Sequence, residues 1–520
     1  MRILSLFLVF VAAMQNLAAQ EQTLVAAPWV TVQTEHFDFY SRLSDDRTRQ
    51  RAMAMEQWRQ AALALLGPAA PQAEEPIRTA IYLFDDEGEF ALFADNNDPA
   101  YLYSSPRINF IIVKNSDAGF DLARHHYAHF LINNTPAGTP RWYEEGMSHY
   151  LARLEASREG IELRVMTPQE SRLALALSSE LNMNDLLYDD AALASPRQIQ
   201  IANLRSAFLL QFLLHGHEHE GFADRREVLH NYLVLLQQGR QARFAYDQSF
   251  KISLRRLGQE LDAYLNALQS HPEQARILFP VVDVAQPQVH ELQQEEAALA
   301  LAELALFSGR FPVAKILFES LQGSEVAGGR AWSGYADAMR MSADGQFVAA
   351  EGTPVPGNLE ALYMQAIEVS PLDHQLYLDF GQYFEAALND CTRPLSAAEQ
   401  QRMQTEMTRY FGEAVSLQPE SAEVNLAYAQ VFLLEENDWH EGLVYQGKAF
   451  ALLPSDTFVQ EQQIEYDIKA GRFDHAEALI ARMARPMHFM GDAPWIHEMR
   501  ERLRAARRGR VYDPCVEVAP

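Results

Sequence analysis

Between Trp29 and Tyr40, apolar and polar residues alternate over much of the segment, which is the period-two pattern of a half-buried strand. From Arg47 to Leu66 the apolar positions change to a helical period, and Gly67-Pro68 punctuates its end. Ile77 to Phe84 and Ile108 to Val113 read as further strands, with a helix expected around Glu87 to Asp95 between them. The order strand, helix, strand, helix, strand leads into a helical segment from Ala118 to Asn133. From about Leu204 to Leu268 the pattern is mostly helical, with Phe208, Leu209, Phe212 and Leu213 at helical spacing. The Pro- and Val-rich stretch from Phe279-Pro280 to Val289 looks like a linker.

Beyond the linker, short helical segments recur with shared punctuation. Gly309-Arg310-Phe311 with Ala314 and Phe318 is echoed by Gly471-Arg472-Phe473 with Ala476 and Leu479. Ala366-Ile367 before Pro371, Ala414-Val415 before Pro419 and Ala449-Phe450 before Pro454 close successive helices alike. These features resemble tetratricopeptide repeats, and the Pro419 to Pro454 interval fits their period of about 34 residues. The longer Pro371 to Pro419 interval implies an insertion around Cys391 to Gln401. An irregular helical bundle is the plainer alternative.

The expected organisation is a signal peptide at 1–20, an α+β domain of a small sheet plus helices at 21–275, and a linker at 276–290. An all-α repeat domain follows at 291–485, then a C-terminal tail at 486–520. The signal peptide rests on Arg2, the apolar run Ile3 to Ala13 and the small pair Ala18-Ala19, and implies a bacterial periplasmic or secreted protein. No later window holds about 18 uncharged apolar residues, so no transmembrane segment is expected. With 48% hydrophobic and 22% charged residues, the chain suits packed domains rather than disorder. Its 43 Lys and Arg against 70 Asp and Glu give a net charge of -27, which repels nucleic-acid phosphates, so no nucleic-acid partner is expected. Arg500 to Arg510 reads as a solvated basic tail. Cys391 and Cys515, the two cysteines, either pair across the repeats or are both free.

The candidate chemistry lies in His125-His126-Tyr127-Ala128-His129. On a helix His125 and His129 are one turn apart on one face and can grip one metal ion. Pro140 to Tyr150 reads as a second helix with Glu145 near its start. Two histidines and that glutamate make a three-ligand site with a fourth position open, and zinc suits such donors best. The run His215-Gly216-His217-Glu218-His219-Glu220 reads as a polar exposed turn between helices, with loose metal binding as the alternative. A GxxxxGK phosphate loop, a GxSxG elbow and a CxxC pair are all absent from the sequence.

These residues resemble the gluzincin metallopeptidases, particularly the peptidase-MA-like proteins of the DUF1570 kind, whose pattern is His-Glu-x-x-His followed by Pro-x-Trp-x-x-Glu-Gly-x-x-Glu-Tyr. Pro140, Trp142, Gly146 and Tyr150 match the second part, and the resemblance covers about the first half of the chain. It implies a gluzincin-like fold for 21–275 and metal-ligand roles for His125, His129 and Glu145. Two positions depart from it. His126 stands where the family has its general-base glutamate, and His149 where it has the second-helix carboxylate that would orient a ligating histidine. A histidine at 126 is either an unusual base or an additional ligand that closes the open position. On the expected helix His126 flanks the metal-facing stripe, and His149 approaches from the side of Glu145.

The leading expectation is therefore an exported pseudo-peptidase or metal-holding scaffold, with zinc as its possible ion and a repeat arm that binds a protein or peptide. Two alternatives stand beside it: an active zinc peptidase using His126 as catalytic base, and a repeat scaffold alone.

Overall fold

A computed structural model describes residues 24–66, 77–95, 97–133, 139–156, 161–164, 167–188, 193, 195–270, 276–279, 286–342, 359–434, 438–484 and 494–517. The expected signal peptide, 1–20, lies outside them. Among the described residues, the strands are β1 (Val30–Gln33), β2 (Phe37–Ser41), β3 (Thr79–Phe84), β4 (Ala100–Ser104), β5 (Asn109–Lys114), β6 (Leu154–Ala156), β7 (Ile161–Arg164), β8 (Arg276–Phe279) and β9 (Val289–Glu291). Six of them form a mixed sheet in the order β4-β5-β3-β2-β1-β9, and β6-β7-β8 form a second, antiparallel one. The segment Trp29 to Tyr40, read as one strand, is a hairpin. The Thr34 amide donates to the Phe37 carbonyl at 2.9 Å, and β1 returns antiparallel as β2.

In the large sheet β2, β3 and β5 run parallel. Ile81, Leu83, Ile111 and Val113 face one buried core, and Tyr82, Phe84, Phe110 and Ile112 face another. Burial on both faces explains why these two strands read as near-continuous apolar runs. The helices of this half are α1 (Asp45–Leu66), α2 (Glu87–Ala91), α3 (Asp117–Asn133), α4 (Arg141–Ala152), α5 (Pro168–Ala176), α6 (Met183–Tyr188), α7 (Pro196–His215), α8 (Arg226–Gln237), α9 (Ala242–Phe250) and α10 (Leu254–Ser270). Trp58 of α1 and Tyr127 of α3 pack with tilted rings in the first core beside Phe37, and Trp58 Nε1 donates to the Leu151 carbonyl at 2.7 Å. The end of α4 is thereby tied to α1.

The second half is helical: α11 (Gln294–Phe307), α12 (Phe311–Ser320), α13 (Arg330–Ser342), α14 (Leu359–Val369), α15 (His374–Leu388), α16 (Ala397–Leu417), α17 (Ala422–Val431), α18 (Trp439–Leu452), α19 (Thr457–Lys469), α20 (Phe473–Met483), α21 (Pro494–Arg507) and α22 (Pro514–Glu517). From α11 to α21 each helix packs on the next, and α11, α13, α15, α17, α19 and α21 also pack in series, each on the next but one. Stacked helix pairs produce that pattern.

The repeated sequence punctuation has a local physical cause. Gly309 (φ 74) and Gly471 (φ 70) adopt the left-handed conformation that ends α11 and α19. The following Arg310 and Arg472 amides then donate back to the Ala305 and Asp467 carbonyls at 2.7 and 2.8 Å, a Schellman closure. After each of Pro371, Pro419 and Pro454, the residue two positions on caps the next helix. Asp373 accepts from Gln375, Ser421 from Val424, and Asp456 from Phe458 and Val459. Proline stops one helix and its follower starts the next. The long Pro371 to Pro419 interval is taken up by the turn bearing Cys391 and by the 21 residues of α16.

Three expectations are corrected. The stretch read as a linker, 276–290, supplies β8 to the small sheet and most of β9 to the large one. Moreover, Leu301, Leu304, Leu317 and Phe318 of α11 and α12 share a core with Phe84 and Phe110, so the helical arm begins as the second cover of the large sheet. The tail read as solvated is a packed helix, α21, which buries Ile496, Met499 and Leu503 against Leu479 and Ile480. Cys515 beyond it is disulfide-bonded to Cys391, closing a loop of 124 residues. None of the described helices is long and apolar enough to cross a membrane.

Candidate metal centre

Two helices build the site, and each is anchored by large apolar side chains on its opposite face. On α3, Tyr127, Ala128, Leu131 and Ile132 are buried in the first core. This leaves His125 and His129 on the side toward α4. On α4, Trp142, Tyr143, Met147 and Leu151 are buried. Gly146 lies where α4 crosses α7, and a Cβ there would meet the Ser206 carbonyl at 2.6 Å. Only glycine lets these two backbones approach so closely.

At the meeting of the two helices, Nε2 of His125 and Nε2 of His129 lie 3.2 Å apart. Glu145 Oε2 is 3.8 Å from His129 Nε2 and 3.9 Å from His149 Nε2. The rings of His125 and His149 approach to 4.4 Å between centroids. Ligand atoms of His125, Glu145 and His149 all fall within 4.8 Å of one another. His129 of the expected trio thus approaches both His125 and Glu145, while the group whose ligand atoms all lie within reach of one another is His125, Glu145 and His149, so His149 joins the cluster rather than standing behind it.

Behind His129 stands a residue that the sequence reading overlooked. Glu144 Oε1 lies 3.0 Å from His129 Nδ1. A carboxylate there accepts the Nδ1 proton and leaves the Nε2 lone pair directed at the cluster, the arrangement that orients metal-binding histidines. The family pattern assigns that duty to the position held by His149. In this chain the neighbouring acid of Glu144-Glu145 occupies it, and the doubled acid was the signal available in the sequence. Asn203 of α7 was also missed; it lowers the proton affinity of Glu145 and takes a bond from the Arg141 guanidinium.

The electrostatics follow from burial. Glu145 is fully buried, and desolvation pushes its carboxyl up to about 7 against the opposing pull of His129 and Arg141. Burial alone would lower His129, but the Glu144 hydrogen bond and the Glu145 charge outweigh it and hold the imidazole above its ordinary value. His149 is held low by desolvation and then by the charges of His129 and Arg153.

His126 sits on the flank, its ring centroid 5.8 Å from that of His125. With His125 and His149 it lines a cavity of about 750 Å³ that extends past Leu122, Arg164 and Leu204. Desolvation, followed by the charge of His129, brings its imidazole down to about 4. The run His215 to Glu220 forms a turn as expected, though not a wholly exposed one. His215 bonds Tyr150 Oη at 2.8 Å through Nε2 and Glu218 at 2.8 Å through Nδ1, and His219 is buried against the Tyr264 ring.

No protein-family model matches this chain, and no curated protein matches it. Among solved structures it is similar to a monomeric mutant of IFIT1 with Gppp-AAAA, at 14% identity over 66% of this chain and 87% of that one, with a TM-score of 0.21. A superposition at that level carries no inference about fold or function.

Proposed function

We propose that this chain is an exported metal-holding scaffold of the metallopeptidase type that has given up ordinary peptide hydrolysis, and that its helical arm takes a protein partner. The reading is carried by one observation, the grouping of His125, Glu145 and His149 ligand atoms within 4.8 Å of one another, with His129 Nε2 3.2 Å from His125 Nε2 and 3.8 Å from Glu145, and Glu144 on its other ring nitrogen. Donors about 2.0–2.1 Å from a tetrahedral ion lie about 3.3 Å apart, close to the 3.2 Å between the two Nε2 atoms. Three imidazoles and a carboxylate form the borderline donor set that zinc prefers, so these four residues would hold it. Zinc supplies Lewis acidity when one position is open and a structural cross-link when four protein ligands fill it.

His126 argues against the hydrolytic use. A half-buried imidazole on the flank of the cluster is neutral at pH 7, and a dication beside it would disfavour protonation further. It is therefore poorly suited to hand a proton to a leaving amine. One observation favours the alternative of a working peptidase: the cavity beside the cluster is large enough for a side chain of substrate and has His126 in its wall. The export reading is supported by the apolar N-terminal run and by the Cys391–Cys515 disulfide, a bond that persists in oxidising compartments.

Elemental analysis of the purified protein, alongside His125→Ala and His129→Ala variants and a broad peptide-cleavage assay, tests the proposal. About one zinc per chain that both variants lose, with no cleavage, is the expected result. Cleavage abolished by His129→Ala would transfer the site to the peptidase reading, and a metal-free protein that takes up no added zinc would overturn both.

A further inference from the structure

Helices that stack in series along the arm also wall a cavity of about 1150 Å³. Its lining includes Glu385 on α15, Glu423 on α17, Glu461 and Glu465 on α19 and Glu498 on α21. The β4–β5 turn at Arg107, the basic residues Lys469, Arg502 and Arg510, and Tyr512 and Pro514 next to the disulfide-bonded Cys515 also line it.

Three of these carboxylates are already engaged. Arg502 reaches Glu465 at 3.1 Å and Glu498 at 2.7 Å. Glu423 accepts from Gln375 Nε2 at 3.3 Å and shares the region with the Arg107–Asp379 pair, 2.7 Å long. The side chains of Glu385 and Glu461 have neither an ion pair nor a hydrogen bond among the described residues. Burial, and then the like charge of Glu465, pushes both carboxyls up to about 7, and the cations that also line the cavity, among them Arg107, Arg502 and Lys469, leave these two without an ion pair among the described residues.

A second feature is independent of charge. Phe458 and Val511 are 44% and 82% exposed and both belong to the lining, as do Tyr103 and Phe307. Large apolar side chains left open beside a cavity mark an interaction surface. The cavity also exceeds the usual small-molecule range of about 300–1,000 Å³.

We infer that this cavity binds an extended segment of a partner protein in which Arg or Lys is flanked by apolar residues, the cation meeting Glu385 and Glu461 and the flanks meeting Phe458 and Val511. The inference rests on the reading of the arm as a protein-binding surface and adds the chemistry of the partner. The chain's net charge of -27 draws such a segment in from a distance.

The test is fluorescence anisotropy of the full mature protein with three short labelled peptides: one alternating Arg with Leu and Phe, one with citrulline at every Arg, and one with Glu at every Arg. The Arg peptide is expected to bind, more weakly as salt is raised, and at least about tenfold more tightly than the other two, since a hydrogen bond to a buried charge is worth about that factor. Glu385→Gln and Glu461→Gln are each expected to weaken it about tenfold while the circular dichroism spectrum is unchanged. Equal binding of the Arg and citrulline peptides overturns the inference and leaves the arm reading in place. So does salt-sensitive Arg-peptide binding that neither variant alters. Failure of all three peptides to bind overturns the arm reading as well.

Discussion

Glu145 is the residue whose replacement best separates a site built for a metal from a site built for stability. Its carboxyl is fully buried and lifted from an ordinary 4.5 to about 7. At about 1.4 kcal/mol for each tenfold change in proton affinity, holding that group ionised in the metal-free protein costs on the order of 3 kcal/mol at pH well above 7. The sign follows from linkage. The folded state binds this proton more tightly than the unfolded state, so metal-free stability falls as pH rises from about 4.5 through 7 and then levels off. His129, held above its ordinary value, adds a loss in the same direction, because its contribution disappears as pH rises through its folded value. Glu145→Gln removes the first of these terms and forgoes some attraction to His129. The variant should therefore match the parent near pH 4.5 and exceed it by about 1–3 kcal/mol at pH 8 in chelator. Added zinc should reverse the order by stabilising only the parent, by an amount set by the ratio of zinc concentration to Kd. Urea unfolding followed through Trp58 and Trp142, both close to the site, reads both effects. A variant less stable than the parent at pH 8 in chelator, or one that zinc stabilises equally, refutes the reasoning.

Four further outcomes are expected. Zinc affinity measured by calorimetry should fall by about ten- to a hundredfold per pH unit below pH 7, because protons on Glu145 and His129 must leave before the ion enters; a flat profile contradicts the proposed ligands. His126→Glu, alone or with His149→Glu, should create zinc-dependent peptide cleavage; if zinc binds and cleavage stays absent, more than the base has been lost. Gly146→Ala should lower stability by about 1–3 kcal/mol despite alanine's helix preference, since its Cβ would meet the Ser206 carbonyl at 2.6 Å, and a raised thermal midpoint contradicts this. Cys515→Ser should cost about 2–4 kcal/mol by freeing the 124-residue loop, seen as a lower urea midpoint for the arm; an unchanged midpoint contradicts the cross-link.

The fold was legible wherever one segment's pattern decides its own structure. Arg47 to Leu66 and Ala118 to Asn133 carry helical periods long enough to fix α1 and α3 to within two residues. The Gly-Arg-Phe and Pro punctuation worked because a left-handed glycine and a cap two residues past a proline are local devices. What escaped was decided by partners distant in sequence. Val289 to Glu291 is a strand only because β1 offers an unpaired edge, with Val30 opposite Glu291. Arg500 to Arg510 reads as a solvated run because arginines dominate it, yet Met499 and Leu503 bury one stripe and Arg502 bridges two glutamates. The pairing of Cys391 with Cys515 depends on how the helices between them pack on one another, which no local pattern encodes.

The site shows the same division between local spacing and packing. That His125 and His129 share a face follows from four-residue spacing alone, and their 3.2 Å approach is its direct product. The choice between Glu144 and Glu145 does not follow from spacing, because neighbouring positions on a helix differ by about 100° and either can face α3, depending on the rotation of α4 about its axis. That rotation is set by Gly146. With no Cβ it beds onto the Ser206 carbonyl, and this contact turns Glu145 toward His129 Nε2 while Glu144 reaches His129 Nδ1. One imidazole thus touches both acids, one through each nitrogen, and His149 is left to join the cluster rather than support it. Where the resemblance implies an orienting carboxylate at position 149, it is Glu144, one position upstream of Glu145, that reaches His129 Nδ1. A conservative change that tilts α4, such as Gly146→Ala, should therefore reduce zinc affinity more than Glu144→Gln, which removes about ten- to a hundredfold by loosening one ring. Equal or smaller loss in the glycine variant would show that the acids, and not the helix crossing, set the geometry.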